Sequence, residues 1–191
     1  MALYPLLKKL LFKLDPENAH EITKQLGRAA ASFAPTRELL ARRYCFYSET
    51  LHSTVLGLNF INPVGLAAGF DKNCELVGLF GALGFGFTEV GSVTNLPSSG
   101  NPRPRLFRLL ADEALINRMG LNNVGPKQFL LNLSRAKQEI GDTAIPIGVN
   151  VAKTHSAEIL GDMAVRDIVD CYQKIALAAD YVTLNVSCPN T

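Results

Sequence analysis

Four short apolar segments of this chain each run into small or hydrogen-bonding residues that could bind a ligand. The segments are PVGLAAG (63–69), FTEVGS (87–92), IPIGVNV (145–151) and YVTLNVS (181–187). The residues at their ends are Ala68, Gly69, Phe70, Asp71, Lys72 and Asn73, then Gly91, Ser92 and Thr94, then Asn150 and Lys153, and finally Asn185, Ser187, Cys188 and Asn190; all but Phe70 are small or polar. Small residues let a flat ligand approach the backbone, and amides with a lysine can hydrogen-bond an anionic heterocycle.

Helical patterns separate these segments, over residues 74–82, 125–140 and 161–178. Alternation of strand and helix predicts a parallel sheet, and the nearly continuous apolar strands indicate burial on both faces. Because ligands of such folds bind beyond the carboxyl ends of the strands, the residues that follow the four strands are expected to form one site. Four units are half of an eight-stranded barrel and also enough for a small open sheet. A β-hairpin is predicted from 105–109 and 114–117.

The first 50 residues have a different pattern. Leucines at 3, 6, 7, 10, 11 and 14 form one helical stripe, with lysines at 8, 9 and 13 opposite. Asp15 and Pro16 predict the start of a second helix; its apolar face would contain Ile22, Leu26, Ala29, Ala30 and Phe33, with Pro35 as the stop and a short helix over 36–43. The pattern favours packing of these helices on their own domain, and the alternative is a bilayer interface.

Composition excludes several classes of function. The chain has 191 residues, 48% of them hydrophobic, so it can bury a core, and a formal net charge of +2 gives no argument for nucleic acid. The four cysteines form no CxxC pair, which predicts thiols in a reducing compartment, and three widely separated histidines predict no metal site. The run GALGFGF (81–87) precedes a strand instead of following one, so it lacks the context of a dinucleotide fingerprint.

Six motifs, in order, resemble those of the dihydroorotate dehydrogenases: NPVGLAAGFDKN, EVGSVT, GNPRPRLFRL, INRMGLNN, IGVN and NVSCPNT. These are flavin enzymes that oxidise dihydroorotate to orotate in pyrimidine synthesis. The N-terminal YPLLKKLLFKLDPENAHE resembles the helical extension of the membrane-associated, quinone-reducing class. The resemblance implies an α/β fold, a (β/α)8 TIM barrel. This chain would contain about the first four β/α units over 51–191, after a helical extension over 1–50 that reaches the membrane and quinone.

The resemblance also implies the site residues. FMN would contact Ala68, Gly69, Phe70, Asp71, Lys72, Ser92, Asn150 and Asn185. Dihydroorotate or orotate would be bound by Lys72, Asn117, Arg118, Met119, Gly120, Leu121, Asn185 and Asn190. His20 and Arg108 match positions near the quinone slot; the alternatives are an ordinary surface histidine and a hairpin arginine paired with an acid such as Asp112. No metal is implied.

Cys188 falls where the family places its catalytic base. Quinone-linked members usually have serine there and soluble members cysteine, so this chain combines a membrane-class extension with a soluble-class base. A thiol, with a reference pKa of about 8.5, can act as a base with less activation than a hydroxyl. The alternatives are a soluble-type enzyme that uses fumarate or NAD, a packed thiol without a catalytic role, and a non-catalytic membrane-binding fragment.

The resemblance places part of the cofactor site outside this sequence. The family's second flavin lysine and its phosphate site, built after strands seven and eight, have no counterpart here. We therefore expect a fragment of a longer enzyme. Its location would be peripheral, on a bacterial cytoplasmic membrane or a mitochondrial inner membrane.

Overall fold

The structure is a computed structural model that describes residues 3–140 and 145–188. Its centre is a four-stranded parallel sheet whose strands follow one another in chain order. The strands are β3 (Gly65–Leu66), β4 (Phe87–Val93), β7 (Ile147–Ala152) and β8 (Tyr181–Asn185). The helices between them are α4 (Val77–Ala82), α5 (Gly125–Ile140) and α6 (Asp162–Ile175). The predicted alternation of strands and helices is therefore confirmed.

The core lies between this sheet and its helices. Val149 and Val151 of β7 are fully buried and pack in one cluster with Phe129 and Leu133 of α5. Successive strand residues point to opposite faces, so Asn150, between the two valines, lies on the other face. The strand β7 thus contributes valines to the core on its helix-facing side and one polar residue, Asn150, to the other face of the sheet.

Two antiparallel hairpins accompany the sheet. β5 (Leu106–Leu109) pairs with β6 (Ala114–Asn117), which confirms the predicted hairpin. A second hairpin, β1 (Ser53–Val55) with β2 (Leu58–Phe60), follows a 3-10 turn over Glu49–Leu51 and was not predicted. Its strands are too short to show an alternating pattern in the sequence.

Three helices precede the sheet: α1 (Leu3–Leu11), α2 (Pro16–Ser32) and α3 (Ala34–Tyr44). Asp15 caps α2 as predicted, because its carboxylate accepts hydrogen bonds from the N–H groups of Glu17 and Asn18, each at 3.0 Å. Pro35 does not end α2 but lies in the first turn of α3, where a missing N–H is tolerated. No described helix is both long and apolar enough to cross a bilayer.

The expectation that the apolar face of α2 packs on its own domain is wrong. Ile22 and Leu26 are 41% and 68% exposed. Most of the buried residues are on the opposite face, namely Glu17, Lys24, Gly27 and Ala31, while buried Ala19 lies beside the apolar stripe. A Cβ at Gly27 would lie 3.0 Å from Leu79 of α4, so small residues bring the helices together. The helix is therefore inverted, with charges inside and leucine and isoleucine outside.

Candidate active site

A cavity of about 570 Å³ opens at the carboxyl ends of the four parallel strands. This volume lies in the range of small-molecule and cofactor sites. The cavity is bounded by the ends of all four strands, by the β5–β6 hairpin with the loop that follows it, and by α2. The predicted residues that line it are His20, Ala68, Gly69, Phe70, Lys72, Ser92, Asn117, Met119, Gly120, Leu121, Asn150, Asn185 and Cys188.

A hydrogen-bonded cluster of three side chains forms the floor of the cavity. The Ser92 hydroxyl donates to Oδ1 of Asn150. Nδ2 of Asn185 lies 3.3 Å from both Oγ of Ser92 and Oδ1 of Asn150. Neighbouring strands β4, β7 and β8 supply one residue each, so the parallel register brings these groups together.

Glu89 also lines the cavity, and the sequence analysis did not predict it. Nδ2 of Asn150 donates to Oε1 of Glu89 at 2.9 Å, and the Thr183 hydroxyl donates to Oε2 at 2.9 Å. Glu89 lies in the middle of β4, so its position in the sequence did not mark it as a residue at a strand end. The available signal was a lone acid within an otherwise uncharged strand.

The loop after β3 places Lys72 at the cavity wall. Gly69 has a positive φ of 111°, and its N–H donates to the carbonyl of Gly91 at 2.9 Å. The Lys72 ammonium in turn donates to the carbonyl of Gly69. Burial lowers the pKa of Lys72, and repulsion by Lys24 and Arg105 lowers it further. An anionic ligand would favour the charged amine, so the position suits a carboxylate.

Two residues expected at the ligand do not line the cavity. Asp71 is fully buried, and its carboxylate accepts hydrogen bonds from the N–H groups of Glu75 and Leu76 at 2.7 to 2.9 Å. Burial raises the pKa of Asp71, and these N–H groups oppose that shift. Arg118 donates to the carbonyl of Pro104 at 3.0 Å. Both side chains hold loops of the site in place through contacts with the backbone. Neither lines the cavity, where direct contact with FMN or substrate was expected.

Cys74 has a positive φ of 60°, outside the right-handed helical region, so α4 begins at Val77 and not at Cys74 as predicted. The Asp71 carboxylate binds the N–H groups of Glu75 and Leu76 in the preceding loop, so its role is structural. Lys153, which follows β7, is likewise structural: its ammonium donates to the carbonyls of Ser156 and Ile159 at 2.8 and 3.1 Å.

His20 joins the extension to the cavity. Its ring packs edge-on against Phe70, with centroids 4.9 Å apart, and it lines the cavity. Burial lowers the pKa of His20, and the charge of Lys24 lowers it further. This half-buried position contradicts the alternative of an ordinary surface histidine.

Arg108 lies outside the cavity, beside the first helix. Its guanidinium donates to the carbonyl of Leu14 at 2.8 Å and stacks 4.7 Å from the ring centre of Phe12. The structure thus directs Arg108 to the α1–α2 junction and shows no pairing with Asp112.

Cys188 lines the cavity near Lys72, whose pKa it tends to raise. None of the four cysteines forms a disulfide. Asn190, expected to bind substrate, lies outside the described residues. Leu106 and Leu115, from facing strands of the β5–β6 hairpin, add an apolar wall that was not predicted.

The residues present fit the ring system of a flavin. Ala67, Ala68 and Gly69 present little side-chain bulk to the cavity, and a Cβ at Gly69 would meet only the Lys72 ammonium, at 4.0 Å. That Cβ would therefore project into open space which a planar ring could occupy. The cavity is also lined by the Ser92 hydroxyl and the Asn150 and Asn185 amides, which suit the edge of a heterocycle. Within the described residues, no group of histidine, cysteine and carboxylate side chains could hold a metal ion.

Comparisons with known proteins agree with this geometry. A family model described as dihydroorotate dehydrogenase matches residues 50–191. A Mycobacterium tuberculosis protein named dihydroorotate dehydrogenase (quinone) is 46% identical over 189 residues, which are 99% of this chain and 51% of that protein. A Ralstonia nicotianae protein of the same name is 46% identical over 194 residues, which are 100% of this chain and 53% of its own.

Solved structures give the same result. A ligand-free type DHODH from Eimeria tenella superposes with a TM-score of 0.76 at 36% identity, covering 93% of this chain and 47% of that one. The chain spans about half the length of the curated relatives it matches. Its parallel sheet is accordingly part of a TIM barrel, as predicted. On these matches and this geometry, the chain belongs to the dihydroorotate dehydrogenase family.

Proposed function

We propose that this chain is part of an FMN-dependent enzyme that oxidises dihydroorotate to orotate in pyrimidine synthesis and passes the electrons to a quinone. The observation that supports this most directly is a single cavity that contains Cys188, Lys72 and the Ser92–Asn150–Asn185 cluster. Relatives that align with essentially the whole chain are named dihydroorotate dehydrogenase (quinone).

Substrate recognition would use one cation and several amides. Dihydroorotate is a pyrimidine ring with a carboxylate, which the Lys72 ammonium would pair with. Asn117 and Asn185 would hydrogen-bond the ring, and the backbone of Met119, Gly120 and Leu121 would close over it. Asn190 is proposed as a further ligand on the strength of the resemblance alone.

The reaction removes one hydrogen from each of two neighbouring carbons, with the C–H electrons of C5 forming the new double bond. Ser92, Asn150 and Asn185 would hold FMN, which when bound would supply the acceptor for the hydride that leaves C6. Cys188, as a thiolate, would accept the proton that leaves C5. The leucines at 106 and 115 exclude water from one wall of the cavity, and low polarity strengthens the contact between Lys72 and the substrate carboxylate.

The quinone would reach the flavin from the helical extension, which we assign to residues 1–50, with the barrel part from 51. The outward faces of α1 and α2 contain exposed Leu7, Leu10, Ile22 and Leu26. A surface of this kind suits peripheral attachment to a lipid bilayer. His20 would lie at the inner end of this path, since α2 has exposed apolar side chains on one side and lines the cavity on the other.

The test is a visible spectrum of the purified full-length protein with FMN under nitrogen, before and after addition of dihydroorotate. We expect the flavin band to bleach, and Cys188→Ala to slow the bleaching by about a hundredfold or more, because general base catalysis contributes on that scale. Cys188→Ser is the matched control, since it retains an ionisable group of similar size and should slow the reaction less.

The possible results distinguish between the candidate functions of this site. Unchanged bleaching in Cys188→Ala would remove Cys188 from the role of base. Bleaching followed by reoxidation with fumarate or NAD, and not with a quinone, would assign the protein to the soluble type. Failure of the full-length protein to bind FMN at all would leave only the non-catalytic, membrane-binding reading.

A further inference from the structure

A buried ion pair fastens α2 to the rim of the cavity. Oε1 of Glu17 lies 2.7 Å from Nη2 of Arg105, and Nε of Arg105 lies 3.2 Å from both carboxylate oxygens. Glu17 and Arg105 are 4% and 7% exposed. The hydrogen bond from Arg105 holds the pKa of Glu17 below its usual value, against the effect of burial. The carboxylate is therefore charged at neutral pH and fixes its partner in place.

The other arm of Arg105 holds a loop beside the cavity. Nη1 donates to the carbonyls of Ser99 and Asn101 at 2.6 and 2.9 Å and lies 3.4 Å from the carbonyl of Met119. The N–H of Asn101 donates to that same Met119 carbonyl at 3.0 Å. One guanidinium thus connects three segments: helix α2, the loop at 99–101 and the cavity-lining segment at 117–121.

Packing around this guanidinium leaves little room for adjustment. A Cβ at Gly100 would lie 2.1 Å from the Met119 carbonyl oxygen and 2.7 Å from Nη1 of Arg105. Gly100 also has a positive φ of 74°, so a side chain there would be strained as well. Gly100 is therefore packed closely between Met119 and Arg105, and we expect a shift of α2 to reach Met119 through Arg105.

We propose that Glu17 and Arg105 are positioning residues: the ion pair sets the geometry of the segment 117–121 against α2, and so the affinity of the site for orotate. The effect on the segment 117–121 is argued from the contacts above. The effect on orotate affinity rests on the proposed function. Neither residue lines the cavity, so both act through Met119 and its neighbours.

The matched control comes from the same carboxylate. Arg103 also pairs with Oε1 of Glu17, at 3.0 Å, but its side chain is 59% exposed and makes none of the loop contacts of Arg105. Exposed pairs contribute little to stability, whereas a buried charge that loses its partner is strongly destabilising. Arg103→Gln should therefore behave as the parent protein, and Glu17→Gln should not.

The experiment uses the full-length, FMN-loaded protein and two readouts. In hydrogen–deuterium exchange, Glu17→Gln should lose protection at the amides of Asn101 and Arg118, which bond to Met119 and to Arg105. Orotate binding should weaken by about tenfold, the scale of one well-placed hydrogen bond, while kcat stays within about twofold because Cys188 is untouched. A general loss of structure would instead lower both kcat and the affinity for orotate.

Arg105→Lys is the second variant, should Glu17→Gln not fold. A lysine can pair with Glu17 but cannot reach Ser99 and Asn101 at the same time, so α2 should stay protected while the 99–101 loop exchanges faster. Unchanged exchange and unchanged orotate affinity in Glu17→Gln would overturn the proposal. Altered exchange in a protein whose parent form does not bind orotate would instead overturn the proposed function and leave the coupling intact.

Discussion

The orientation of the Asn150 side chain depends on Glu89. A carboxylate only accepts hydrogen bonds, so Nδ2 of Asn150 must face Glu89, at 2.9 Å. Oδ1 of Asn150 then faces the cavity floor, where it accepts from Ser92 and Asn185. Glu89 thereby determines which atoms of this cluster a bound ring meets.

Glu89→Gln should therefore weaken FMN binding by about tenfold. Glutamine can donate as well as accept, so the Asn150 amide is free to turn over and present its NH₂ to Ser92 and Asn185. A tenfold change corresponds to about 1.4 kcal/mol, within the range for a hydrogen bond to a charged group. The measurement is the dissociation constant of FMN, followed by quenching of its fluorescence.

The control for this change is Thr183→Val. It removes the other hydrogen bond to Glu89, at 2.9 Å, but leaves the carboxylate and hence the orientation of Asn150. We expect its effect on FMN binding to be under about threefold. Equal affinity of Glu89→Gln and the parent protein for FMN would show that the amide orientation does not matter to the cofactor.

Polar residues at the carboxyl ends of the predicted strands correctly identified part of this site. Lys72, Asn150, Asn185 and Cys188 were each found by their place in the sequence, and all four line one cavity. Asp71 has the same place and a different role, because backbone N–H groups of the next turn reach its carboxylate first. Which neighbour a loop acid meets depends on tertiary geometry, which one sequence does not contain.

At the scale of elements, α2 presents apolar side chains outward. Ile22 and Leu26 are exposed, while Lys24 is buried and pairs with Glu75 at 3.1 Å. Exposed leucine and isoleucine side chains are stabilised when a lipid phase covers them, at roughly 25 cal/mol per Å² of apolar surface. The buried charges of α2, on Glu17 and Lys24, are stabilised by ion pairs that form only in the folded domain.

A triple serine variant, with Leu7→Ser, Leu10→Ser and Leu26→Ser, should no longer bind lipid vesicles. Its fold should be unchanged. Since each of these side chains is already exposed, the free energy of unfolding should change by no more than about 0.5 kcal/mol per site. Co-sedimentation with vesicles measures the binding, and thermal unfolding measures the stability.

Leu131→Ser, on α5, is the matched control for vesicle binding. Its side chain is 56% exposed, which compares with 68% for Leu26, but it lies on a different helix. We expect this variant to sediment with vesicles as the parent does. Retained binding by the triple serine variant would exclude α1 and α2 as the attachment surface.

The sequence showed the apolar stripe of α2 but not the direction it faces. Periodicity identifies two faces of a helix, and burial of the apolar face is the usual outcome in a water-soluble domain. Here the small residues Gly27 and Ala31 fall on the polar face and allow close contact with α4. By contrast, α5 has the bounds that the sequence predicted, and its Phe129 and Leu133 pack against the sheet.

For the molecule as a whole, the sheet has four strands in chain order and so has two edges among the described strands. One edge is β8, which pairs with β7 on one side only. Leu184 within it is 55% exposed, and Val186 beyond it is 82% exposed. Unpaired backbone groups beside exposed apolar side chains favour edge-to-edge association.

A protein made of residues 1–191 alone should therefore self-associate, and a charge on β8 should reduce this. Leu184→Lys places an ammonium on the open edge, where association would bury it at a cost. We expect light scattering of this variant to rise less with protein concentration. The stability should change little, because the side chain is already more than half exposed.

Leu131→Lys serves as the comparison, since Leu131 is 56% exposed and lies on α5, not on β8. It makes the same change in net charge, so a general effect of charge on solubility would appear in both variants. A reduction confined to Leu184→Lys assigns self-association to the β8 edge. Equal reduction in both would show that charge alone acts. Persistence of association in both would point instead to another surface, such as the outward leucines of α1 and α2.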